Sequence, residues 1–246
     1  MIPKIIHYCW FGRNPLPELA QKCIASWKKY LPDYEIKEWN EDNFDVNMVP
    51  YTAEAYKAKK YAFVSDYARF WILYHYGGLY FDTDVEVIAP MDDIIARGPF
   101  MGCEAGHNGA TPVITGVAPG LGLGVNPGLG LYKAVLDWYH THHFALWKGT
   151  FSGTVVKVVT DIFRENGCVP IGDGIMESCG VFIYPADYFC PKNYYTGEIN
   201  ITNNTVSIHH YTATWVKHRK SLWERAMGRF LYFKARLWST LNHFRY

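Results

Sequence analysis

The segment Gly77-Gly78-Leu79-Tyr80-Phe81-Asp82-Thr83-Asp84-Val85-Glu86-Val87 constrains this chain more than any other. Leu79, Phe81 and the valines that follow read as a strand. Residues two apart in a strand share a face, so Asp82 and Asp84 present two carboxylates on one side. Like charges resist joint ionisation. A divalent cation removes that cost, and hard oxygen ligands suit Mg²⁺ or Mn²⁺. A metal so held can hold a diphosphate, and the segment therefore points to a metal–nucleotide site. Asp-x-Asp alone recurs in many surface turns; here an apolar strand leads in and a helix bearing Asp66 and Arg69 precedes it.

From the start of the chain, Ile2 to Trp10 is rich in β-formers and ends at the loop Phe11-Gly12-Arg13-Asn14-Pro15. Trp10 stands where such a strand opens onto a ligand, although the residue also suits a core. His7 reads as a satisfied core or strand histidine. The spacing of Leu19, Cys23, Ile24 and Trp27 predicts a helix over 17–30, and the alternation from Tyr34 to Trp39 predicts a half-buried strand. This β-α-β order favours a parallel sheet.

A short helix is expected over 53–60 and a longer one over 61–76, stopped by Gly77-Gly78. Phe63, Tyr67, Phe70, Trp71 and Tyr74 form its apolar face. Asp66 and Arg69, three apart, are neighbours on that helix. They are either a surface ion pair or two groups facing the site built by the next strand.

Further on, the patterns predict a short helix over 91–98, a strand over 100–103, and a Gly/Pro-rich stretch over 107–130. That stretch reads as a flexible wall around a cleft, with a strand at 113–117; no Gly-Lys-Ser/Thr follows, so it is not a phosphate-binding loop of that kind. Helices over 129–143 and 154–166 and strands over 180–185 and 205–209 complete the pattern. His140, His142 and His143 read as solvated residues at a helix end rather than ligands. His209-His210, just past the last strand and followed by Thr214 and Trp215, could complete a metal and phosphate site.

A chain of 246 residues fits one sizeable α/β domain with a tail, divided here as 1–216 and 217–246. A formal net charge of +1 excludes a globally basic nucleic-acid binder. The six cysteines form no Cys-x-x-Cys pair, which argues for free, mostly buried thiols in a reducing compartment. With no apolar run of about 18 residues, the expected location is cytoplasmic. The tail sets Leu222, Trp223, Phe230, Phe233 and Trp238 at helical spacing among basic residues with a single acid, Glu224. Such a helix suits an anionic membrane surface, or it docks on its own domain or a partner chain.

Four motifs together resemble glycosyltransferase family 32, the group with a sugar-binding region containing a DXD motif. They are Ile-Pro-Lys-Ile-Ile-His-Tyr-Cys-Trp-Phe-Gly, Lys-Lys-Tyr-Ala-Phe-Val-Ser-Asp-Tyr-Ala-Arg, Tyr-Gly-Gly-Leu-Tyr-Phe-Asp-Thr-Asp and His-His-Tyr-Thr-Ala-Thr-Trp, and the resemblance spans about residues 2–215. It implies a GT-A fold, an α/β nucleotide-binding domain with a central mixed sheet flanked by helices, here with an amphipathic helical tail. It also implies a nucleotide-sugar co-substrate, a UDP-sugar ahead of GDP-mannose, with Mn²⁺ or Mg²⁺. By position, Trp10 would stack on the donor base, and Asp66 and Arg69 would hold donor sugar or ribose hydroxyls, with Ser65 and Tyr80 lining the same pocket. Asp82 would contact ribose and, directly or through water, the metal, and Asp84 would ligate the metal; His210 (with His209 as the alternative) would supply the later ligand, and Thr214 and Trp215 would touch the diphosphate. Bacterial members are similar to capsule, exopolysaccharide and lipopolysaccharide sugar transferases and fungal ones transfer mannose. The implied acceptor is a saccharide, and the tail is consistent with a lipid-linked one at the inner membrane face. The resemblance implies retention, and no carboxylate stands out as a covalent nucleophile.

An Asp-x-Asp phosphatase would carry the pair on its first strand with a Thr shortly after, whereas Val85-Glu86 follows here. A catalytically silent nucleotide- or carbohydrate-binding module of a polysaccharide-assembly complex is the alternative, and donor turnover separates it from the transferase.

Overall fold

The computed structural model describes residues 1–105, 114–144, 146–147, 150–151, 154–167, 174–194 and 196–212. The expected tail helix over 217–246, and Thr214 and Trp215, lie outside the described residues.

The elements run β1 (Ile5–Cys9), α1 (Glu18–Tyr30), β2 (Glu35–Trp39), α2 (Pro50–Lys57), α3 (Tyr61–Tyr76), β3 (Gly78–Tyr80), β4 (Val85–Val87), α4 (Asp92–Arg97), β5 (Phe100–Ala105), β6 (Ile114–Val117) and β7 (Leu123–Val125). There follow α5 (Gly130–Thr141), β8 (Leu146–Trp147), β9 (Thr150–Phe151), α6 (Val155–Glu165), β10 (Met176–Ser178), β11 (Val181–Tyr184), α7 (Ala186–Phe189) and β12 (Ser207–His209). The main sheet has the order β10-β11-β5-β7-β3-β1-β2, with β6 paired to β5. It is mixed: β2, β1 and β3 are parallel, β7 runs antiparallel to β3 and β5, and β11 is parallel to β5.

Strand alternation divides the interior into two apolar clusters, one on each side of the sheet. Cys9, Tyr80, Met101, Cys103 and Leu123 pack with residues of α2, α3, α5 and α6. Ile6, Tyr8, Leu79 and Phe100 pack with residues of α1, α4 and α7. Helices thus flank the sheet on both faces. α3 is buried nearly all round, from Phe63 to Leu73, and Gly77 ends it at φ +64°, its amide returning to the Leu73 carbonyl at 2.9 Å. His7 is satisfied as expected, between the Trp39 indole N–H on Nδ1 (3.0 Å) and the Gly77 carbonyl on Nε2 (3.0 Å). Burial lowers its pKa to about 4, so the ring stays neutral and braces the turn that leads into β3.

The strand expected across Leu79–Val87 is in fact two. β3 ends at Tyr80, the Val85 amide bonds to the Asp82 carbonyl at 3.0 Å to close a turn, and β4 leaves the main sheet to pair antiparallel with β12. α1 supplies the pull. The Trp27 indole donates to the Val85 carbonyl (2.8 Å), and the Val87 amide donates to Ser26 Oγ (2.9 Å). The chain therefore bends at Asp82-Thr83-Asp84, and the two carboxylates converge through a turn rather than through strand alternation.

Cys9, Cys23, Cys103 and Cys190 are buried thiols, as expected. Cys179 is disulfide-bonded, which corrects the expectation of thiols throughout and removes the cysteine argument for a reducing compartment.

Candidate active site

The site lies beyond the carboxyl ends of parallel strands, the usual place for a ligand in an open α/β sheet. Trp10 follows β1, Asp82 and Asp84 follow β3, Glu104 is near the end of β5, and His209 ends β12. Together with Asp66 and Arg69 from α3, these residues wall a cavity of about 540 Å³, within the range of small-ligand sites. Ser65 lines it too. Tyr80 does not: it is 1% exposed and acts from behind, its hydroxyl donating to Asp82 Oδ1 at 3.1 Å. That corrects its expected place on the pocket wall; position 80 belongs to the strand and faces the core, one step before the bend.

Arg69 joins two carboxylates. Its Nη2 lies 2.9 Å from Asp66 Oδ1 and 3.2 Å from Asp82 Oδ1, while Nε donates to the Ser65 carbonyl at 3.2 Å. The alternative of a surface ion pair is thereby excluded, since the Arg69 side chain is 4% exposed. Burial disfavours its charge, but Asp82, Tyr80 and Asp66 outweigh that and keep the guanidinium firmly protonated. Gly120 makes room for the cluster: a Cβ there would run into Asp82 Oδ2 and come within 3.4 Å of Arg69 Nη1.

The carboxylates are electrostatically unequal. Burial pushes Asp66 up to about 7 against the attraction of Arg69. Burial also raises Asp82, opposed by Arg69 and reinforced by Asp84. Asp84 goes the other way: burial works against its charge, yet His209 and the two Thr212 donors hold it well below the usual carboxylate range. The Thr212 amide and hydroxyl reach Asp84 Oδ2 at 2.8 and 2.9 Å. Asp84 is thus a permanent anion beside a partner that ionises less readily.

A pH dependence of stability follows from Asp66. Unfolded, it ionises near pH ~4; folded, it holds its proton to about pH 7. Between those values the native state binds the extra proton, so this group's contribution falls as pH rises and levels off above the window. Thermal unfolding of metal-free protein across pH 4–8 should show Asp66→Asn gaining on wild type as pH rises. A constant difference would place the titration elsewhere.

Asp82, Asp84 and His209 each offer a ligand atom, all within 4.8 Å of one another. His209 Nε2 is 3.1 Å from Asp84 Oδ1, and its buried Nδ1 has no hydrogen-bond partner among the described residues. Burial disfavours the imidazolium, but Asp84 and Asp82 outweigh it and raise the His209 pKa. A donor set of two carboxylates and an imidazole with an unsatisfied nitrogen fits a divalent cation such as Mn²⁺ or Mg²⁺.

His210, expected first as the later ligand, is corrected by this geometry. Its Nε2 is 2.8 Å from Glu86 Oε2, and Glu86 also pairs with Lys22 at 3.0 Å. Ile208 lies opposite Glu86 in the β12–β4 pair, so His210, two residues on, shares the face of Glu86, while Asp84 lies in the turn before β4 and there meets His209. Thr212, Glu104, Gly120 and Lys192 also belong to the wall and were not singled out by sequence. Thr212 lies inside the His-His-Tyr-Thr-Ala-Thr-Trp motif, so a signal existed; Glu104 and Lys192 carried none. His142 stacks on Trp138 (4.0 Å between centroids) and His143 pairs with Glu54, both away from the site as expected.

Comparison with known proteins agrees with this geometry. Residues 17–101 match the family described as glycosyltransferase sugar-binding region containing DXD motif. Inositol phosphoceramide mannosyltransferase 1 of Schizosaccharomyces pombe is 30% identical over 41% of this chain and 33% of its own length. An uncharacterised glycosyltransferase of Acanthamoeba polyphaga mimivirus is 32% identical over 68% of this chain and 64% of its own. Among solved structures, the PaToxG glycosyltransferase superposes with a TM-score of 0.50 at 20% identity, covering 67% of this chain and 69% of that one. The fold is GT-A-type. The chain spans about a third of the length of the first curated relative it matches.

Proposed function

We propose, from the match of residues 17–101 to the glycosyltransferase sugar-binding region containing DXD motif, that this chain moves a sugar from a nucleotide-sugar to an acceptor hydroxyl with a divalent cation. The observation that carries this reading is the convergence of Asp82, Asp84 and His209 in one cavity beside the Asp66–Arg69 pair. A bound Mn²⁺ or Mg²⁺ would supply the positive charge that offsets charge building on the leaving diphosphate.

The residues divide the remaining work. Trp10, on the cavity wall, offers a face for the donor base. Asp66 accepts hydrogen bonds from sugar hydroxyls. Arg69 and Tyr80 fix Asp82, while Thr212 and His209 fix Asp84, so the ligand carboxylates are held before substrate arrives. Thr214 and Trp215 are proposed to touch the diphosphate. With retention, a same-face displacement is the proposal: the acceptor oxygen bonds to the anomeric carbon as the sugar–phosphate bond breaks, and the acceptor proton goes to the departing phosphate oxygen. A trapped glycosyl-enzyme adduct would sink it.

Two donor classes enter the test. The family resemblance favours a UDP-sugar in capsule, exopolysaccharide or lipopolysaccharide synthesis; the mannosyltransferase names of the fungal relatives support GDP-mannose and an inositol-bearing lipid acceptor. No helix among the described residues is long and apolar enough to cross a membrane. Contact with a lipid-linked acceptor is proposed for the basic tail. Nucleotide release from a panel of UDP-sugars and GDP-mannose with Mn²⁺, with and without chelator, decides the reading. Chelator-sensitive release of one nucleotide supports it; no binding of any donor favours the silent module.

The two histidines separate in the same assay. His209→Ala is expected to weaken Mn²⁺ binding by about tenfold to a hundredfold, and His210→Ala by no more than a few-fold. Metal titration followed by isothermal calorimetry reads both, and a reversed order would restore His210 as the ligand.

A further inference from the structure

The cavity wall carries Asp66, Asp82, Asp84 and Glu104 against Arg69, Lys59 and Lys192. A nucleoside diphosphate-sugar adds two negative charges at its diphosphate. A divalent metal balances the ligand carboxylates, so the diphosphate needs a further cation. Arg69 is the obvious one, but its guanidinium is already committed to Asp66, Asp82 and the Ser65 carbonyl. Lys59 also lines the cavity but is exposed, where water competes for its ammonium.

We propose that Lys192 is a substrate-binding residue whose ammonium receives the diphosphate of the nucleotide-sugar; this rests on the transferase reading above. Its Nζ donates to the His210 carbonyl at 2.9 Å, and the His210 amide donates to the Asp84 carbonyl at 2.9 Å. The ammonium is therefore tethered to the backbone that carries both Asp84 and His209. One of its three N–H groups is used by that tether, which leaves two for phosphate oxygens. Among the described residues no carboxylate pairs with it.

The segment that presents Lys192 is itself braced. Lys192 bridges to Ile199, the Asn193 amide bonds to the Glu198 carbonyl at 2.8 Å, and the Asn200 amide bonds to the Pro191 carbonyl at 3.0 Å. A long flexible cation held by its own tether on a closed loop loses little freedom on meeting an anion. Because the diphosphate is also the leaving group, the same contact strengthens as the sugar departs.

The test compares nucleoside diphosphates with monophosphates, using UDP, GDP, UMP and GMP with Mn²⁺ at fixed ionic strength. For Lys192→Ala the Kd of the diphosphate that wild type binds should rise about tenfold to a hundredfold, the loss expected for hydrogen bonds to a charged group. The monophosphate Kd should stay within twofold, and Lys192→Arg should recover most of the diphosphate affinity. Lys192→Gln keeps a donor for the His210 carbonyl while removing the charge, and it carries the same expectation if the alanine variant folds poorly. An unchanged diphosphate Kd overturns the proposal, and so does equal weakening of both nucleotide classes, which would make Lys192 a loop tether only. Wild type that binds no nucleotide overturns the transferase reading and this one together; wild type that binds while the variants match it overturns this one alone.

Discussion

Asp84→Ala is expected to lower donor turnover by about 10³-fold or more, which is roughly 4 kcal/mol of barrier. Asp84 is the anchor of the cluster: His209 and both Thr212 donors converge on it and hold its carboxyl well below the usual range, whereas burial raises that of Asp82. Its loss removes one candidate ligand and releases the other from its partner. Steady-state nucleotide release with saturating Mn²⁺ checks this, with Mn²⁺ titration alongside to separate lost metal affinity from lost rate. Turnover within tenfold of wild type would show that the chemistry does not depend on this carboxylate.

The largest loss of stability should come from Arg69→Leu. Removing one partner of a buried ion pair leaves the others uncompensated, at a cost of about 3–5 kcal/mol. Here Asp66 and Asp82 would lose their shared cation; Asp66, pushed up to about 7 even beside Arg69, would keep its proton, and Asp82 would be the stranded carboxylate. For a domain of this size that amounts to a fall in Tm of about 6–20 °C. Asp82→Asn in the same chain should return part of it, because the stranded carboxylate is gone. Differential scanning calorimetry of the two variants decides the matter; a single variant that melts with wild type would mean the triad is far wetter than its burial indicates.

Legibility from sequence followed how local the cause was. α3 falls on the expected 61–76 because its apolar spacing and the Gly77 stop both act within the helix. α1, β2 and α6 were legible for the same reason, to within a residue or two at each end. The break between β3 and β4 was not, since it depends on Trp27 and Ser26 reaching across from α1. The choice of His209 over His210 was not legible either, since it depends on the turn that carries Asp84 ahead of the β4–β12 pairing. Lys192 and Glu104 sit in segments whose neighbours in the fold come from distant sequence, and neither spacing nor a motif distinguishes them from other surface charges.

The pairing of β4 with β12 brings residue 84 and residue 209 to a common point. A cation bound there would be a removable clasp joining two remote parts of the chain. The unfolded chain has no such meeting point, so occupancy would feed directly into the folding equilibrium, by about 2.7 kcal/mol at a free-ion level 100 times Kd. The availability of metal would then govern how long the molecule survives as well as how fast it works.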